Sequence, residues 1–163
     1  MDKYLQMLKT EGADLAMEID TKTVVTAPWT VLKCQFGCDF YGRKFCCPPN
    51  TPDWEKTQKI IDCYSRGILF RFHEMKPVTA TAVKVCREAF LDGFYKALAF
   101  GSGPCLLCEK CSTEHCNFPK KTAPAMEACG IDVFATVRNN GIAINTVREK
   151  GETANYFGMI LID

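Results

Sequence analysis

Four cysteines fall within twelve residues in the segment CLLCEKCSTEHC, at Cys105, Cys108, Cys111 and Cys116. Their spacing, Cys-x2-Cys-x2-Cys-x4-Cys, constrains the fold of this chain more than any other feature. Two-residue gaps let a short loop curl, so that successive thiolates converge while backbone N–H groups turn inward. A cubane cluster needs that geometry. The segment therefore predicts an iron–sulfur site.

Zinc is the alternative metal for this segment. Structural zinc sites usually take two Cys-x2-Cys pairs that lie well apart in sequence, and a tetrahedral ion has little use for a third closely spaced cysteine. The last gap is four residues, where bacterial ferredoxins have three, so the match to that pattern is close but not identical. His115 is interpreted as a polar loop residue, because the four cysteines already suffice as ligands.

A second group of cysteines precedes this one in CQFGCDFYGRKFCCPP. Cys34 and Cys38 are followed by the adjacent pair Cys46 and Cys47 and by two prolines. The stretch from Cys34 to Pro52 has no helical or strand periodicity, so we expect a loop that something other than its own hydrogen bonds fixes. Adjacent side chains point in different directions, and Cys46 and Cys47 are therefore not expected to bind one cluster equally.

The totals narrow the chemistry further. Eleven cysteines in 163 residues is an odd and high number, and the charged N-terminus has no apolar signal segment. A cytoplasmic location is therefore expected, where disulfides are rare and clustered cysteines bind metal or do redox chemistry. The net charge is +1, which gives no electrostatic reason to expect nucleic acid or a membrane as partner.

The rest of the chain predicts an α/β (or α+β) fold: a single domain over residues 1–163, with a mixed β-sheet flanked by helices and two cysteine-rich loops. The last stretch before the second cysteine loop, GSGP, is expected to let the strand that ends at Phe100 approach a bulky cofactor. Predicted helices are 2–10, 52–64, 77–91, 123–129 and 132–138; predicted strands are 14–19, 22–27, 67–72, 94–100, 142–147 and 156–163.

Three motifs together resemble a family of predicted metal-binding proteins that is catalogued as a domain of unknown function. They are CQFGCDFYGRKFCCPP, GFYKALAFGSGPCLLCEKCSTEHCNFP and PAMEACGIDVFATVRNNG, and the likeness covers essentially the whole chain. The resemblance implies an iron–sulfur protein of anaerobic archaea and bacteria. It implies no catalytic residue.

Carried over position by position, the family pattern implies eight cysteine ligands, enough for two cubanes. They are Cys34, Cys38, Cys47, Cys105, Cys108, Cys111, Cys116 and Cys129. The simplest allotment gives the run from Cys105 to Cys116 one cluster. Cys34, Cys38 and Cys47 of the first loop then hold the second cluster, with Cys129 or no residue as its fourth ligand. Cys116 and Cys129 could also exchange places. Cys46 is interpreted as an extra thiol.

Three functions follow from these expectations. The first is electron transfer, or cofactor and metal handling in anaerobic metabolism, through one or two [4Fe-4S] clusters and with a redox partner protein. The second is an enzyme whose cluster, held by only three cysteines, leaves one iron open to sulfur or substrate. The third is a structural zinc module for protein interaction.

Overall fold

Four strands form one sheet in the computed structural model of the protein, which describes residues 1–163. The strands are β1 (Leu15–Asp20), β2 (Arg66–Phe72), β3 (Leu98–Phe100) and β4 (Tyr156–Leu161), in the spatial order β1-β2-β4-β3. Every pairing in the sheet is antiparallel. The predicted α/β class is confirmed, and the sheet within it is antiparallel throughout rather than mixed.

Five helices accompany the sheet: α1 (Asp2–Thr10), α2 (Trp29–Gly37), α3 (Trp54–Ile61), α4 (Lys76–Leu91) and α5 (Val133–Asn139). Two single 3₁₀ turns lie at Thr21–Thr23 and Glu127–Cys129. None of the helices has the length and apolar character that crossing a bilayer requires.

Both faces of the sheet are buried, because alternate strand residues enter two separate cores. Ile68 and Phe70 of β2 pack with α1 and α4 in one core. Between them in sequence, Leu69 points to the opposite face and packs with Ile61 of α3 and Val137 of α5. Full burial of each such side chain contributes about 1.5–3 kcal/mol. The sheet is therefore a rigid platform with helices on either side.

One edge of this platform collects the chain segments that carry the cysteines. Strands β2 and β3 run in the same direction and both end there, while β4 begins there; Phe72 pairs with Tyr156 and Phe100 pairs with Met159. The second cysteine loop leaves directly from the end of β3, as the sequence predicts for the strand that ends at Phe100.

Three of the predicted strands are wrong or too long. Residues 22–27 do not form a strand, because the Asp20 side chain accepts a hydrogen bond from the Lys22 N–H at 2.8 Å and starts a 3₁₀ turn. Only 98–100 of the predicted strand 94–100 is extended, since turn hydrogen bonds occupy residues 93–97. In 142–147, Ile144 is buried in the core without a strand partner.

The first cysteine loop also differs from prediction at its start. Helix α2 extends from Trp29 to Gly37, so Cys34 lies on a helix rather than in a loop. The helix after this loop begins at Trp54 rather than at residue 52, and its N-cap is Asp53, since the Asp53 carboxylate accepts the Lys56 N–H at 2.8 Å. The Thr51 hydroxyl donates to the carbonyl of Ala128 and ties this loop to the 3₁₀ turn 127–129.

Candidate metal centre

The cysteines of the second loop share one closed depression, called here the small hollow. Cys105, Cys108, Cys111 and Cys116 all line it, as the spacing predicts. Cys46, from the first loop, lines it as well. The hollow has a volume of about 10 Å³, which is room for about one water molecule.

Two N–H groups donate to sulfurs of this group. The backbone N–H of Phe45 donates to Cys111 Sγ at 3.4 Å, and Asn117 Nδ2 donates to Cys108 Sγ at 3.8 Å. Because Phe45 belongs to the first loop, the first of these bonds joins the two loops. Hydrogen bonds to cysteine sulfur stabilise the thiolate form and tune the potential of a bound cluster.

The backbone of the second loop is left without partners of its own. No backbone N–H from Cys105 to Cys116 donates to a backbone carbonyl. Only the amides of Glu114 and His115 find an acceptor, the Ser112 hydroxyl. No residue of this loop is buried, so water can accept from its outward amides, and a group that the loop surrounds would accept from those that turn inward.

The other three cysteines of the first loop line a second space, called here the large cavity, which has a volume of about 400 Å³. Cys34 comes from α2, and Cys38 and Cys47 come from the chain that follows α2. Tyr156 and Phe157, which begin β4 at the edge of the sheet, also line this cavity. This volume lies in the range of small-molecule sites.

The adjacent residues Cys46 and Cys47 connect the two spaces. Cys46 lines the small hollow, whereas Cys47 lines the large cavity. A turn holds both, since the Cys47 N–H donates to the Lys44 carbonyl at 3.1 Å. The two side chains point in different directions, as predicted. Cys46, which we interpret from the sequence as an extra thiol, lies among the cysteines of the second loop.

Burial and crowding at the two spaces explain why the thiolate forms of these cysteines need a cation. Burial raises the pKa of Cys47 to about 11, and the neighbouring Cys38, Cys46 and Cys34 add to the shift. Burial also raises the pKa of Cys46, next to Cys105, Cys116 and Cys111, while a hydrogen bond with Thr122 opposes the shift. Thiolates packed so closely repel one another, and a bound metal removes that repulsion as it displaces the protons.

Cys129 does not join the other predicted ligands. It lines neither space, it is 0% exposed, and it packs in the core beneath the sheet. Burial raises the pKa of its thiol to about 12, with smaller contributions from Cys46 and Glu127. The turn that carries it is fixed, because Gly130 follows it at φ +82° and a side chain there would meet Trp54 at 2.6 Å.

Glu127, two residues earlier on the same turn, lines the large cavity instead. Glu127 is exposed where it faces this open space, and desolvation by the protein around the cavity raises the pKa of its carboxyl group. The sequence analysis does not identify Glu127, because the signal there is the cysteine of EACGID and nothing marks which side of the turn faces a site.

The donor set suits a group of several atoms better than a single ion. A tetrahedral zinc ion needs its donors to meet about 2.3 Å from one point. No group of three or more His, Cys, Asp or Glu side chains converges on a metal-ion position in this structure. All eleven cysteines are free thiols. The cysteines surround spaces rather than a point.

Cysteines grouped around two neighbouring spaces at one edge of an α/β sheet define a cysteine-rich metal-binding protein. The comparison with family models agrees. Residues 17–162 match the family described as "Predicted metal-binding protein (DUF2284)", and the chain belongs to that family. No curated protein and no solved structure matches the chain.

Proposed function

We propose that this protein is an iron–sulfur protein that carries two [4Fe-4S] clusters and transfers electrons between them and a partner. One cluster is held in the small hollow by Cys105, Cys108, Cys111 and Cys116. The other is held at the large cavity by Cys34, Cys38 and Cys47. When bound, such clusters supply a store of single electrons at potentials that the protein sets.

The observation that carries the proposal is the second loop itself. Twelve residues in succession, from Cys105 to Cys116, make no backbone–backbone hydrogen bond as donors, yet the four cysteines of this segment line one hollow. A cluster offers such amides its inorganic sulfides as well as the cysteine sulfurs, whereas a zinc site offers the cysteine sulfurs alone. The two N–H donors to Cys111 and Cys108 complete the same pattern.

A buried lysine supports an anionic group nearby. Lys44 is 8% exposed, and no Asp or Glu carboxylate lies within 4.0 Å of its ammonium. The ammonium lies 5.5 Å from the centre of the Phe40 ring, which offsets only part of the cost of burying a charge. A cluster with four thiolate ligands carries net negative charge, and Lys44 is three residues from Cys47.

The size of the large cavity favours a second function for that site. Three cysteines leave one iron of a cubane without a cysteine ligand, and about 400 Å³ of space adjoins them. The second candidate function is therefore an enzyme in which this iron binds sulfur or a substrate, while the other cluster supplies electrons.

Electron transfer also requires a redox partner protein. We propose that this protein and its partner function in the cytoplasm of an anaerobe. Leu106, Leu107 and Phe118 are exposed apolar side chains beside the small hollow. A small, transient interface of the kind that redox proteins use would cover them.

Metal and sulfide analysis tests the proposal. After anaerobic purification, we expect about eight iron and eight acid-labile sulfide per chain, with a broad absorption near 400 nm that bleaches on reduction. Colourless protein that contains zinc and no sulfide would instead establish the structural zinc module and refute both cluster sites.

A further inference from the structure

We propose that the Glu127 carboxylate, and not the Cys129 thiolate, is the fourth ligand of the cluster that Cys34, Cys38 and Cys47 hold. This inference rests on the proposed function, because it concerns the same cluster site. It makes the large cavity a mixed site with three sulfur ligands and one oxygen ligand.

The geometry of the 3₁₀ turn separates the two candidates. Residues in such a turn advance by about 120° each, so side chains two positions apart cannot face the same way. Glu127 lines the large cavity together with the three cysteines, whereas Cys129 lies in the core on the other side. Gly130 and its contact with Trp54 hold the turn in this orientation.

Glu127 also lacks a cationic partner. No Lys, Arg or His nitrogen lies within 4.0 Å of its carboxylate, and the residue is exposed where it faces the cavity. A carboxylate without a cationic partner is available to bind a metal through its oxygen atoms. An iron held by the three neighbouring cysteines supplies the missing positive charge.

An oxygen ligand makes the fourth iron different from the other three. A carboxylate is a harder ligand than a thiolate and exchanges more readily from a soft, sulfur-rich site. The ligand that replaces it would enter from the cavity, past Trp29 and past the Lys33 ammonium, which lies 5.3 Å from the Trp29 ring centre. Aromatic walls and a cation without a carboxylate partner suit a small organic anion.

Paired substitutions test the assignment in protein reconstituted anaerobically. The background is the variant Cys46→Ala/Cys105→Ala/Cys108→Ala, which leaves two cysteines at the small hollow, so that only the cluster of the large cavity contributes to the spectra. Onto it are placed Glu127→Gln, which keeps the side-chain volume, or Cys129→Ala, with Cys63→Ala as a control at an exposed cysteine. Circular dichroism establishes that each variant is folded, and the probe ligand is ¹³C-labelled cyanide.

With Glu127 as ligand, Cys129→Ala keeps the iron, the sulfide and the electron paramagnetic resonance (EPR) spectrum of its parent. Glu127→Gln shifts the g values, and it shows a ¹³C hyperfine coupling at cyanide concentrations where the parent shows none. The inference is overturned if Cys129→Ala loses the cluster while Glu127→Gln keeps the parent spectrum and cyanide response; the iron–sulfur proposal survives that result. A parent without any sulfide overturns both.

Discussion

Two variants are expected to lose different halves of the bound iron. Cys46→Ala/Cys105→Ala/Cys108→Ala leaves two cysteines at the small hollow, and Cys34→Ala/Cys47→Ala leaves one at the large cavity. Each variant should retain about four iron and four sulfide per chain, because one or two remaining cysteines cannot hold a cubane. Iron and acid-labile sulfide are measured on anaerobically reconstituted protein, per folded chain.

Cys46→Ala is included at the small hollow because Cys46 lies there as a fifth thiol and could replace a missing ligand. The control is Cys63→Ala/Cys86→Ala, which removes two cysteines that line neither space; Cys63 is exposed and Cys86 packs against the core of α1 and α4. This control should keep all of its iron. The hypothesis of two separate sites would be refuted if the substitutions at either space removed all of the iron while the protein stayed folded. It would also be refuted if both variants kept all of their iron.

Removal of the metal is expected to release the second loop while the sheet stays folded. Between Cys105 and Cys116 the backbone has no hydrogen-bond ladder, and its half-exposed cysteines add little to a core. The sheet has its own ladders and two buried faces. The free energy that orders the loop must therefore come from the metal.

Hydrogen–deuterium exchange measures this difference directly, with chelated and loaded protein compared under anaerobic conditions. Amides of the loop should exchange roughly tenfold faster or more after chelation, since ~1.4 kcal/mol of lost local stability already has that effect. Amides of β2 and β4 are the internal reference and should keep their protection. Equal exchange of the loop in both samples would show that metal does not order it.

The sequence predicted the features that depend on residues near one another in the chain. The helix predicted at 132–138 is present as α5, which Asp132 caps, because its carboxylate accepts the Ala135 N–H only three residues away. The grouping of the four cysteines of the second loop follows from their spacing alone. The helix α2 was missed because Pro28 begins it without a side-chain cap and no apolar stripe marks its face.

What the sequence could not predict depends on contacts between distant segments. Cys46 joins the second loop across about sixty residues, and only the fold shows which member of the adjacent pair turns toward it. Whether Glu127 or Cys129 faces the large cavity depends on the direction of a single turn. The close contact between Gly130 and Trp54, which is distant in sequence, fixes that direction. The family pattern of cysteines carries no information on either point.

The account makes one central claim: the chain holds two clusters side by side, in two spaces that the adjacent residues Cys46 and Cys47 line. EPR spectroscopy of the fully reduced protein tests it most directly. The electron spins of clusters in adjacent spaces interact, so the spectrum should be broadened and split, and it should become a simple single-cluster signal in each of the two cysteine variants. A spectrum of the intact protein that equals the sum of the two variant spectra would contradict the claim.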